Sequence, residues 1–65
     1  MITLKIDGMT CNHCVMHVRQ ALAAVPGVAG VEVDLQAAEA RVGGTADPIL
    51  LIQAVEAEGY SAREA

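Results

Sequence analysis

Phenylalanine and tryptophan are absent from this chain of 65 residues, and tyrosine occurs once, at Tyr60. A core built from it has no large rings to fill space. It must be assembled from small aliphatic side chains, which account for most of a 54% hydrophobic content. A chain of this length lies near the lower size at which a hydrophobic core alone sustains a fold, so residues 1–65 are read as one domain. Basic residues are scarce too: Lys5, Arg19, Arg41 and Arg63 stand scattered against eight Asp and Glu. The cationic footprint of a nucleic-acid binder is missing, and the acidic balance reads as solubility. No long apolar run is present, and MITLKID lacks the basic and apolar regions of a leader. No membrane insertion is therefore expected, and the cytoplasm is the default location. Cysteine is limited to Cys11 and Cys14. A disulfide across two intervening residues closes too short a loop to stabilise much, so the pair calls for a chemical explanation.

What is there alternates clearly. In ITLKID the apolar Ile2, Leu4 and Ile6 interleave with Thr3, Lys5 and Asp7, the period-two signal of a half-buried strand that Gly8 ends. Cys14, Val18, Ala21, Leu22 and Val25 follow the three-and-four spacing of one helix face over residues 11–25, and Pro26-Gly27 stops the run. A second strand is expected over Val31–Leu35. A third, carrying Ala40 and Val42 inward, follows as an antiparallel hairpin partner across a QAAE turn that has no Gly or Asn to reveal its type. Asp47 as N-cap, Pro48 at the first helical position and Gly59 at the end delimit a second helix, whose buried stripe is Leu51, Ile52 and Val55. Ile49 and Leu50 fall off that stripe and read as surface aliphatics. The tail YSAREA allows one short edge strand with Ala62 inward. Strand, helix, strand, strand, helix, strand is the order of an α+β, ferredoxin-like βαββαβ sandwich, a four-stranded antiparallel sheet with two helices on one face.

On this scheme GMTCNHC, residues 8–14, spans the loop after the first strand and the first turn of the helix. Unpaired N–H groups and the positive end of a helix favour thiolate over thiol, and thiolate is the form that ligates metal. Two soft sulfurs with a short reach suit Cu(I), which accepts few ligands, whereas structural zinc wants four. Cys11 and Cys14 are the expected metal-binding pair. His13, between them, does not turn inward easily. It is expected to tune the proton affinity of the site or to bridge metal between two copies before it serves as a direct ligand. His17 is expected to be partly exposed without a ligand role, Met9 to anchor the loop in the core, and Met16 to be exposed.

GMTCNHC followed by VMHVRQAL, PGV, VEVDL and AVEAEGY resembles the heavy-metal-associated domain family over essentially the whole chain. Within that family it is most similar to small bacterial copper chaperones. The resemblance implies one Cu(I) held by Cys11 and Cys14 and passed by thiolate exchange to the metal-binding domains of a copper-transporting P-type ATPase. A three-coordinate intermediate forms on the way, and Cys11 on the loop is approached first. It also implies, for some relatives, delivery to or withdrawal from a copper-responsive repressor. Tyr60 matches the tyrosine that bacterial members place near the metal loop; it is equally read as the cover over one end of the core. Thr10 stands where zinc-exporting relatives carry an acidic residue, so Zn(II) ranks below Cu(I); mercury-binding relatives share GMTCxxC but carry a leader of which MITLKID shows no sign, so Hg(II) ranks below it too, as does Cd(II), while Ag(I) should bind as Cu(I) does. A metal-free monomer is expected, and a metal-bridged dimer stays open.

Two rivals remain. CxxC opening a helix after a strand is also a thioredoxin-like redox arrangement, but no proline-bearing substrate loop and no flanking aromatic accompany it, so no enzyme is expected. The chain could instead be a metal-binding domain of an ATPase; its Met start, short tail and lack of a linker favour a free chaperone.

Overall fold

The computed structural model describes all residues from Met1 to Ala65. Its elements are β1 (Ile2–Asp7), α1 (Asn12–Ala23), β2 (Val28–Asp34), β3 (Glu39–Gly44), α2 (Pro48–Ala57) and β4 (Ser61–Glu64). The strands form one antiparallel sheet in the order β2-β3-β1-β4. This is the ferredoxin-like βαββαβ sandwich expected from the order of elements. Leu4 and Ile6 of β1, with Ala40 and Val42 of β3, alternate onto the face that meets Val18 and Leu22 of α1 and Leu51 and Val55 of α2. All eight are buried, and none is aromatic. Truncating Leu22 to Ala would cost about 2–5 kcal/mol. That is comparable to the whole stability of a domain this small, about 3–10 kcal/mol.

The other face of the sheet is solvated and laced with opposite charges. Lys5 Nζ lies 3.3 Å from Glu39 Oε2, Arg41 Nη1 lies 3.6 Å from Glu32 Oε1, and Arg63 Nη1 lies 3.7 Å from Asp7 Oδ2. Lys5 opposes Glu39 and Glu32 opposes Arg41 in the strand register, so pairing of the strands brings these charges together. Exposed pairs of this kind add little stability each. Their effect is to neutralise three of the four basic side chains on a single face.

Three boundaries differ from the sequence reading. The first helix ends at Ala23, short of Val25. The residue before Pro26 is driven away from helical backbone, and the Ala24 and Val25 N–H groups instead donate to the carbonyls of Gln20 and Leu22 at 3.2 and 3.1 Å, closing the last turn. Val25 still packs on the core. The second strand starts at Val28, three residues before Val31, and reaches Gly44 of β3 through a register shift between Val28 and Gly30. That close approach depends on Gly44, whose φ is +116° and where a methyl group would overlap the Gly27 carbonyl oxygen. Leu35, expected at the end of the strand, lies in the turn.

The QAAE turn is organised by Asp34, which precedes it. Asp34 Oδ1 accepts from the Gln36 and Ala37 N–H groups at 2.9 and 3.2 Å, the local side-chain bonding by which Asp favours turns. The turn is then tied to β1: Lys5 Nζ donates to the Ala37 carbonyl at 2.9 Å and the Ile6 N–H donates to that of Ala38 at 2.8 Å. Ala38 takes the left-handed conformation, φ +55°, the one non-glycine residue to do so. In α2, Asp47 Oδ1 caps the Ile49 N–H at 2.9 Å and Pro48 opens the helix, as expected. Ile49 and Leu50 are exposed.

A left-handed alanine costs about 1–2 kcal/mol relative to right-handed backbone, and glycine gives back about 0.5–1 kcal/mol in unfolded-state entropy. Ala38→Gly is therefore expected to stabilise the protein by roughly 0.5–1 kcal/mol. A shift of the urea midpoint to higher concentration at unchanged slope is the readout, and a shift to lower concentration would refute the strain.

Candidate metal centre

The site begins where β1 stops. Gly8, at φ +103°, turns the chain out of the strand. Met9 is half-buried and packs on the core, the anchoring role expected of it. Cys11 is the N-cap of α1, with extended backbone (φ −158°, ψ 175°) and no side-chain capping bond, so its thiol is free to face outward. Its carbonyl accepts from the Val15 N–H at 3.3 Å, which starts the helix. Three residues on, Cys14 lies in the first turn, half-buried, whereas Cys11 is exposed. The loop-to-helix change between them brings the sulfurs to 3.7 Å. Two metal–sulfur bonds of about 2.3 Å in line would hold sulfurs about 4.6 Å apart. A two-coordinate soft ion between them would require the sulfurs to move apart from 3.7 Å.

The two thiols differ in surroundings. The Thr10 backbone N–H and the Tyr60 hydroxyl favour the charged form of Cys14, with further help from the Cys11 thiol and the Thr10 hydroxyl. Thr10 Oγ1 is 3.9 Å from Cys14 Sγ. Burial works against the charge but is outweighed, and the Cys14 thiol is lowered to about 6. The helix N-terminus acts in the same direction. The effect on Tyr60 is reciprocal: the nearby Cys14 thiolate, its partial burial and the neighbouring charges raise the phenol to about 12, so it keeps its proton.

Tyr60 reaches this position through strand register. Ser61 pairs with Asp7 in the β1–β4 ladder, which sets the preceding Tyr60 beside the following Gly8. A methyl group at Gly8 would lie 3.2 Å from Tyr60 Cδ1. Tyr60 both packs on the core and faces the thiol loop, so the two readings of it are compatible. In sequence Thr10 stands out only for not being acidic; the structure adds its contact with Cys14. A threonine just before an N-cap cysteine, four residues ahead of a first-turn cysteine, is the signal that pointed there. His13 and His17 are exposed, and no third His, Cys, Asp or Glu gathers with the cysteine pair.

The fold and site together define an α+β domain that displays a thiol pair where a strand loop becomes a helix. The heavy-metal-associated domain matches residues 3–61, and the chain belongs to that family. It is 47% identical over 66 residues to a mercuric reductase of Shewanella putrefaciens, covering 98% of this chain and 12% of the reductase. It is 48% identical over 64 residues to copper-transporting ATPase 2 of Rhizobium meliloti, covering 94% and 8%. Copper chaperone CopZ of Bacillus subtilis is 36% identical over 61 residues, with 89% of this chain and 88% of CopZ covered. Among solved structures, the N-terminal domain of PacS from Synechocystis PCC6803 superposes with a TM-score of 0.94 at 38% identity, covering 98% and 94%. The chain thus spans about a tenth of the reductase and ATPase relatives and most of CopZ.

In the reduced, metal-free protein the Cys14 thiolate is expected to form near pH 6, followed by its ultraviolet absorbance or by the pH dependence of alkylation. Because the unfolded thiol holds its proton up to the ordinary value of 9.0, the unfolded state binds more protons between the two values. Stability therefore rises with pH across that interval and is lost as pH falls through about 6. Tyr60→Phe removes one donor and moves the Cys14 midpoint upward; an unchanged midpoint would contradict the assigned contact.

Proposed function

We propose that residues 1–65 work as one metal-carrying unit in which Cys11 and Cys14 hold a single Cu(I), without catalysing a reaction. The observation that carries this reading is a pair of thiols 3.7 Å apart, one poised as thiolate, with no third His, Cys, Asp or Glu gathered around them. Soft, low-coordinate Cu(I) and Ag(I) suit two sulfurs. Zn(II) and Cd(II), which take more ligands, suit them less. Hg(II) is also soft, and the likeness to mercuric reductases supports it as a second cargo. Met9 and Tyr60 support the loop, and His13 lies outside the sulfur pair.

Release follows from the difference between the thiols. Exposed Cys11, held by nothing but its neighbour, is the sulfur a partner thiolate displaces first. Cys14, stabilised as thiolate by Thr10 and Tyr60, leaves second and needs no proton at neutral pH. The recipient is the metal-binding domain of a copper-transporting P-type ATPase, reached in the cytoplasm, with a copper-responsive repressor as a further partner. The metal-free unit is a monomer, and a shared ion can join two copies through their exposed Cys11 thiols. No helix is long and apolar enough to cross a membrane. The basic residues that nucleic acid would need are largely neutralised on the sheet face, which supports a protein partner. The thioredoxin-like alternative has lost its scaffold, because every strand pair here is antiparallel.

A second reading has its own support. Identity to the transport ATPase and to the reductase, 48% and 47%, exceeds the 36% to CopZ. The same unit then serves as the metal-binding domain of a larger protein, receiving the ion it would otherwise deliver.

Titration of the reduced protein with Cu(I) against a chromogenic chelator is expected to give one tightly held ion per chain. The double substitution Cys11→Ser, Cys14→Ser should abolish it, and Zn(II) should compete poorly. Copper binding that survives loss of both cysteines would sink the proposal.

A further inference from the structure

We infer that His13 and His17 form a second metal site on α1, a two-imidazole chelate for a borderline divalent ion such as Ni(II) or Zn(II), distinct from the thiol pair. Both residues lie inside the helix, which runs from Asn12 to Ala23. Four residues apart, they share one face a single turn from each other, with Cβ atoms about 5–6 Å apart. Both are exposed, and neither takes part in any side-chain hydrogen bond or ion pair of the chain. Nothing within the protein uses these two rings. Helical histidines at this spacing are the pair through which the H-E-x-x-H motif holds zinc, and imidazole favours Zn(II), Ni(II) and Cu(II) where thiolate favours Cu(I). One helix thus presents two donor sets of different softness.

The nearest competing arrangement draws His17 toward Cys14, three residues before it. Cys14 is committed to the thiol pair, with the Cys11 sulfur 3.7 Å away, which leaves the imidazoles to each other. Two features limit the strength of the site. The positive end of the helix opposes a cation, and no carboxylate joins the two rings. Water completes the coordination, so the site chelates an ion without forming a closed structural centre.

The test uses the Cys11→Ser, Cys14→Ser protein titrated with Ni(II) alone by calorimetry, its fold checked by circular dichroism. One Ni(II) per chain is expected. His13→Ala or His17→Ala in that background should weaken binding about tenfold or more, the loss of a tethered second ligand. Both positions are exposed and alanine favours helix, so the variants fold. Combining His17→Ala with Gln20→His keeps two histidines but sets them about 10.5 Å apart along the axis, and it should recover nothing. The inference is overturned if the cysteine-free protein binds no Ni(II), if neither histidine matters, or if the displaced pair binds as tightly as the original. Cu(I) titration of the reduced His13→Ala, His17→Ala protein separates the two sites: unchanged Cu(I) binding is expected, and its loss would mean that the imidazoles belong to the thiol centre.

Discussion

Strand β1 is held on both sides, by β3 along Ile2–Lys5 and by β4 along Leu4–Asp7, and the thiol loop starts at the residue after it. A loop leaving a central strand has a fixed origin. Leu4 and Ile6, fully buried, lock the strand to the helices, so the direction in which Gly8 departs is set by the core. At the other end of the loop, α1 is locked by Val18 and Leu22. The segment between these anchors has few residues to spare, and the separation of the two sulfurs follows from it.

The same clamp sets the electrostatics of the site. Pairing Asp7 with Ser61 places Tyr60 against the loop, where its hydroxyl, with the Thr10 amide, favours the charged form of Cys14. Cys11, as an uncapped N-cap, has no comparable support. An asymmetric pair is useful to a protein that must both hold an ion and give it up. Under the proposed function, the stabilised sulfur would retain the ion while the exposed one exchanges. Meanwhile the three ion pairs of the sheet face keep most of the positive charge on the side away from the helices.

Much of this was legible in the chain. Alternation in ITLKID, the helical spacing of Val18 and Leu22, and the Asp47-Pro48 start of α2 each report on backbone state through nearest neighbours, and each matches the structure. The misplaced boundaries arose where a distant partner decides. Val28 is a strand residue because Gly44 allows β3 to approach it, and no local pattern around Val28 says so. The QAAE turn was opaque for a related reason: its organiser, Asp34, lies within the preceding strand, and its left-handed residue is an alanine.

For the site, the spacing of Cys11 and Cys14 and their place at a loop-to-helix junction were determined by sequence alone, because a strand ending at Gly8 and a helix starting at Asn12 are local events. How strongly Cys14 is favoured as the thiolate was decided by the tertiary structure. Thr10, four residues before Cys14, acts locally, but Tyr60 stands near the end of the chain and meets the site only because the register of β4 pairs Ser61 with Asp7.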